Sequence, residues 1–198
     1  MNNPKSSYHH GDLRSTLLQA ATDLIREGGV EALSMRKLAD RVGVSRTAPY
    51  HHFTDKHALL SALAEEGFRR FEQRLQAEVG DCAPAERLDQ FVRCYMDFAL
   101  ASPETYNLMF GSGVWQAGAP TPTLKAEAHG SFRRYVERVE QWQAEGVLPA
   151  EVDPLRFAQI SWSTLHGLAR LMIDGIYVDA HHLEALLDTA VGLFRQAL

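Results

Sequence analysis

Apolar residues recur along this chain three and four positions apart, and hardly anywhere two apart. That spacing lays one stripe on each of a series of helices and leaves no alternating run for a strand, so an all-α fold of about nine helices is predicted. Leu13, Leu17, Ala21, Leu24 and Ile25 line a first helix, which Gly28-Gly29 should stop. Ser34 then suits an N-cap, followed by Met35, Leu38, Ala39 and Val42 on one face of a short helix that Gly43 ends. Ser45 is read as the cap of the next. A long helix over about 55–79 opens at Asp55 and carries Leu59, Leu60, Leu63, Phe68, Phe71 and Leu75.

Gly80 and Pro84 punctuate the chain and begin a second region. Leu88, Phe91, Val92, Tyr95, Met96 and Ala99 predict a helix stopped near Ser102-Pro103, and a short one follows over 103–110. Residues 111–122 have the composition of a loop. Phe132, Tyr135, Val136, Val139 and Trp142 mark a longer helix ended at Gly146. Asp153-Pro154 opens the next, with proline where its missing N–H costs nothing. That helix, through Phe157, Ile160, Trp162, Leu165, Leu168, Leu171, Met172 and Ile176, is apolar almost all round and is expected to be covered on more than one side. Leu183, Leu186, Leu187, Ala190, Val191 and Phe194 form one clean stripe on the last helix. The organisation expected is a small module over 8–56, the 55–79 helix, and a larger domain over 80–198.

Composition excludes several classes. With 198 residues, 45% hydrophobic and 23% charged, the chain is neither disordered nor fibrous. Its longest uncharged run, Thr105 to Leu124, is broken by Pro120, Pro122 and three glycines, so it is no membrane span, and the polar start offers no signal segment. A cytoplasmic location is expected. Cys82 and Cys94 match no zinc or redox spacing and are read as reduced, packed thiols. The net charge of −5 is unevenly spread: the first 57 residues hold eight Lys and Arg against six Asp and Glu, which leaves the acidic excess to the remainder. A basic module on an acidic body suits a nucleic-acid binder.

The stretch from Ser34 to Phe53 carries the most chemistry. Two short helices joined at Gly43 have the layout of a helix-turn-helix, which pushes its second helix into a major groove about 12 Å wide. Ser34, Arg36 and Lys37 start the first helix, where they can reach phosphates. Ser45, Arg46 and Thr47 start the second, at the height of base edges. Tyr50, His51 and His52 come next, and Lys56 stands at the next helix N-terminus, which favours phosphate. Spacing alone also allows an ordinary helical hairpin with a solvated basic face.

Tyr8-His9-His10-Gly11-Asp12-Leu13-Arg14, Gly43-Val44-Ser45 and Tyr50-His51-His52-Phe53 with Lys56 and Leu60 resemble the N-terminal domain of TetR/AcrR-type transcriptional regulators over about residues 8–70. The resemblance implies that Ser45, Arg46, Thr47 and Ala48 face bases, that Tyr50, His51 and Lys56 contact phosphates, and that Phe53 holds the core. Pro49 departs from the usual pattern, which has an aliphatic residue there; the reading helix is expected to survive the one hydrogen bond proline deletes.

Trp162 to Gly167, WSTLHG, resembles the Trp-His-Gly signature of one C-terminal domain type in that family. This implies a homodimer built from the last two helices, for which Ile173, Leu183, Leu186, Leu187, Val191 and Phe194 are candidates. It also implies a pocket for a small hydrophobic or aromatic ligand, with Tyr95, Phe98, Met109, Phe110, Trp115, Phe132, Tyr135, Trp162, His166 and Met172 as candidate lining. The expected function is a repressor released from palindromic double-stranded operator DNA by such a ligand. No cofactor is expected and no catalytic motif appears. The rivals are an architectural DNA-binding protein without inducer and a helical enzyme or metal-binding protein, for instance through His129 and His166.

Overall fold

A computed structural model describes residues 10–116, 120–176 and 182–196. Tyr8, His9 and His181 lie outside the described residues, among which there is no strand. The helices are α1 (His10–Ala32), α2 (Met35–Val42), α3 (Lys56–Gly80), α4 (Arg87–Ala101), α5 (Pro103–Phe110), α6 (Ser112–Trp115), α7 (Pro122–Ala144), α8 (Pro154–Ile173) and α9 (Leu183–Gln196), with 3₁₀ turns at Ala48–His51 and Pro84–Glu86. None of them is long and apolar enough to cross a membrane.

Most boundaries follow from local chemistry. Gly28 and Gly29 leave helical geometry inside α1. The Ser34 Oγ accepts the Lys37 N–H at 3.2 Å, Asp55 Oδ1 accepts the Ala58 N–H at 2.8 Å, and Asp153 Oδ1 accepts the Arg156 N–H at 2.9 Å, capping α2, α3 and α8. Two expectations are corrected. The stretch 111–122 is not all loop: α6 forms because Val114 is buried and the Trp115 indole N–H donates to the Met109 carbonyl at 2.7 Å. Helix α7 also starts at Pro122, ten residues before the apolar stripe that marked it, since proline is suited to a first helical turn.

The chain divides into two compact units: Met1–Glu66 with Glu104–Leu124, and Gly67–Pro103 with Lys125–Leu198. The division falls within α3, whereas the sequence places it at the end of that helix. In the first unit Leu17, Ala21, Leu38, Ala39 and Leu59 are sealed from solvent and hold α1, α2 and α3 together. Also in this unit, the buried Glu65 accepts hydrogen bonds from Thr121 and Thr123.

The second unit is built on aromatic rings. Phe91 of α4 stacks on Tyr135 of α7, with centroids 4.4 Å apart and planes 7° apart, and meets Trp142 edge-on at 5.6 Å. Phe71 meets Tyr95 edge-on at 5.4 Å. Such offset and edge contacts add to area burial. Helix α4 also packs on α8 and α9, and Arg93 bridges Asp89 to Glu184 and Asp188 of α9. Both cysteines are free; burial, reinforced by Glu78, pushes the Cys94 thiol up to about 12.

Candidate nucleic-acid interface

The candidate edge is built around two turns, one dictated by glycine and one by proline. Gly43 sits at φ 75°, ψ 32°, the left-handed region that side chains resist, and its N–H and that of Val44 both close on the Ala39 carbonyl, at 2.9 and 3.0 Å. The chain thereby turns sharply out of α2. The next segment is not the α-helix expected from Ser45. Residues 46–47 form a turn and Ala48–His51 a 3₁₀ turn, with Ala48 N–H on Ser45 O at 3.0 Å, Tyr50 N–H on Thr47 O at 3.1 Å and His52 N–H on Pro49 O at 3.1 Å. Pro49 is the physical reason. It has no N–H to reach back to Ser45 or Arg46, so the tighter three-residue closure takes over, and the buried ring anchors the turn.

That turn holds a continuous exposed edge. Ser45, Arg46 and Thr47 are exposed, with the two hydroxyls 3.1 Å apart, and Ala48 is half-buried. Tyr50 is 53% exposed, a large ring left in water. His51 is exposed too, while His52 is half-buried and tilts against buried Phe53 at 6.3 Å. On α2, Arg36 and Lys37 are exposed; Arg36 lies 3.9 Å from Asp40, and Lys37 borders an open cleft between α1 and α2. Ser34 is committed to its cap. Lys56 differs most from expectation: it is half-buried, and its ammonium donates to the Val30 carbonyl at 2.8 Å, fastening the C-terminal end of α1 to the start of α3. Arg14 over the Phe53 ring at 5.5 Å and the Arg41–Glu27 fork at 2.6 and 2.9 Å hold α1 to the rest. That fork keeps the Glu27 carboxyl below its ordinary range. The arrangement offers one guanidinium, two hydroxyls and a phenol along an edge, the donors and acceptors that base edges and phosphates accept.

The expected pocket residues are divided between the units. Met109, Phe110 and Trp115 belong to the first unit and the others to the second. Tyr95 and Tyr135 are packed core, and the Tyr135 hydroxyl is 2.7 Å from Ser161 Oγ; burial raises its pKa, against that hydrogen bond. Phe98, 5.0 Å from the Phe71 ring, and Met172 are half-buried. Three residues do come together: half-buried Trp162 stacks on His166 at 5.5 Å, and Phe132 meets Trp162 edge-on at 5.9 Å. Burial, then Arg170, lowers the His166 pKa.

Half of the candidate partner-facing residues are buried within the chain itself. Leu187, Val191 and Phe194 turn into their own unit, where Phe194 meets Phe157 edge-on at 6.0 Å, because α9 must cover α4 and α8. Ile173, Leu183 and Leu186 are half-buried. The exposed large aliphatic residues are instead Leu155, Ile160 (67%) and Leu171 on α8, Ile176 just after it and Leu193 (59%) on α9. Helix α8 is therefore open along one face, not covered all round.

The family model for bacterial regulatory proteins of the tetR family matches residues 17–63, and that for the tetracyclin repressor-like C-terminal domain matches residues 88–194. The chain belongs to the TetR family. It is thus a regulatory protein and not an enzyme. The class A tetracycline repressor of transposon 1721 from Escherichia coli is 55% identical over 51 residues, which are 26% of this chain and 24% of that repressor. The chain matches about a quarter of the length of that curated relative. A solved protein of unknown function from Rhodococcus sp. RHA1 is 34% identical, covers 98% of this chain and 99% of its own, and superposes with a TM-score of 0.85. The fold is also that of FadR from Bacillus subtilis, solved with stearoyl-CoA (16% identity, 93% of this chain and 99% of that one, TM-score 0.68).

Proposed function

We propose that this TetR-family chain is a DNA-binding transcriptional regulator, a repressor that leaves a palindromic operator when a small molecule binds its second unit. The observation that carries the reading is the exposed edge from Ser45 to His51, held out by the Gly43 turn and the capped α2. Arg46 is the base reader, with Ser45 and Thr47 beside it. Tyr50, His51, Arg36 and Lys37 serve the phosphates on either side. Lys56 acts through its tie to Val30 as a positioning residue. Two copies pair through the outward faces of α8 and α9, with Ile160, Leu171 and Leu193 at the contact, which places two edges in successive major grooves about 34–36 Å apart or a multiple of that. The repressor and ligand roles of the tetracycline repressors and of FadR lend support by kinship and fold. No cofactor takes part.

Selection of bound duplexes from a random pool, at about 150 mM salt, tests the reading. Enrichment of a palindrome is the expected result. Folded, ligand-stripped protein that enriches nothing would overturn it.

A further inference from the structure

Between α3 and α7, inside the second unit, lies a group of charges that neither the operator edge nor the dimer face uses. Glu72 of α3 is shared by two arginines of α7: Arg138 Nη2 donates to its Oε1 at 2.5 Å, and Arg134 Nε faces its Oε2 at 3.2 Å. Arg134 also reaches Glu127 at 3.1 Å, and Arg69 lies 3.9 Å from Glu127. Arg138 and Glu72 are well sheltered, at 13% and 18% exposure, while Arg134 at 37% and Arg69 at 40% reach toward the surface.

The shelter is imperfectly satisfied. Arg138 Nη1 is sealed from solvent with no hydrogen-bond partner, and Arg134 Nε and Glu72 Oε2 face one another without a well-formed bond. A buried guanidinium edge without an acceptor is costly, and folded proteins rarely keep one without use. The surroundings are built toward it. Gly130, one turn before Arg134, leaves the guanidinium room that a Cβ only 3.2 Å from Nη1 would crowd. Tyr135 and Trp142, on the same helix as both arginines, join Phe91 in an apolar ring cluster of the same unit.

We propose that Arg138 and Arg134 bind the carboxylate of a small amphipathic molecule, so that the effector of this regulator is an organic monocarboxylate. The guanidinium fork matches a carboxylate in plane, and Arg138 already shares Glu72 with Arg134, so the charge it has to offer suits a monoanion better than a dianionic phosphate. The apolar remainder of the molecule lies against the aromatic interior. This assignment rests on the ligand-responsive function proposed for the chain.

The test uses the full-length protein, delipidated, and thermal shift with tryptophan fluorescence titration. The probes are straight-chain acids from hexanoate to palmitate together with phenylacetate and 1-naphthoate, each beside its alcohol and its phosphate monoester. At least one acid should raise the midpoint and bind about tenfold tighter than its alcohol and its phosphate. Arg138→Gln should lose about tenfold in affinity for that acid, while Arg133→Gln, an exposed neighbour, keeps it. Arg138→Lys, which retains charge without the fork, guards against a variant that fails to fold and should bind with intermediate affinity. Alcohols that bind as well as acids, phosphates that bind better, or no response to any acid would each overturn the assignment. Operator selection is scored separately. If it succeeds while every acid fails, the carboxylate site alone falls; if an acid binds and no operator is enriched, the DNA reading falls.

Discussion

The two units handle polar and aromatic side chains in opposite ways. In the first, Tyr50, Arg46, Ser45 and Thr47 stand in water on a short, proline-tightened turn, with few neighbours to restrain them. In the second, Tyr95, Tyr135 and Trp142 are shut into a ring-on-ring core, and even arginines are sheltered. An exposed arginine is the rule in folded proteins, so it is the large Tyr50 ring left in water that sets this edge apart. A buried aromatic is accounted for by packing, and there only the imperfectly satisfied polar atoms point to something further.

The contrast can be broken by mutation. The largest effect should come from Trp142→Ala, which empties the second unit's core and costs about 3–5 kcal/mol in chemical denaturation. Arg46→Ala should leave stability within about 0.5 kcal/mol yet weaken specific DNA binding by about 1–3 kcal/mol in a titration against the selected operator. Little loss of sequence preference, with a salt slope reduced by about one, would reassign Arg46 to a phosphate. Gly43→Val forces a side chain into the left-handed region and should cost about 1–2 kcal/mol of stability, seen as a lowered denaturation midpoint, with operator binding falling alongside. Ser34→Ala removes only the α2 cap, about 1 kcal/mol by the same measurement.

The smallest effect is pH-dependent. Burial depresses the His166 pKa below its ordinary 6.5, so the unfolded chain takes up that proton first. Stability should therefore fall as pH drops through about 6.5, and His166→Gln should remove that component from the midpoint-versus-pH curve.

Legibility differed in the same way. Ser34, Gly43, Asp55 and Asp153-Pro154 announced their turns and caps because each acts on backbone within four residues. Pro49 was visible too, but its consequence was not: deleting one N–H left both a strained α-turn and a 3₁₀ turn open, and the burial of its ring favours the second. Nothing local to Lys56 reveals Val30, 26 residues away, as an acceptor for its ammonium. Arg134 and Arg138 carry no assignment from the sequence. Their spacing of four, flanking the Tyr135 stripe, was the available signal, and only Glu72 on another helix turns it into a cluster.

Helix α9 shows the limit most plainly. Its periodic stripe dictates an amphipathic helix with Leu187, Val191 and Phe194 on one side, since 3.6 residues per turn is a property of the backbone. Which surface that side meets is a contest among apolar faces for one another. Helices α4 and α8 of the same chain win it here, leaving Ile160, Leu171 and Leu193 outside. Local hydrogen bonding and steric rules thus carry from residues to elements, whereas the choice of partner for each buried face depends on all the other faces at once.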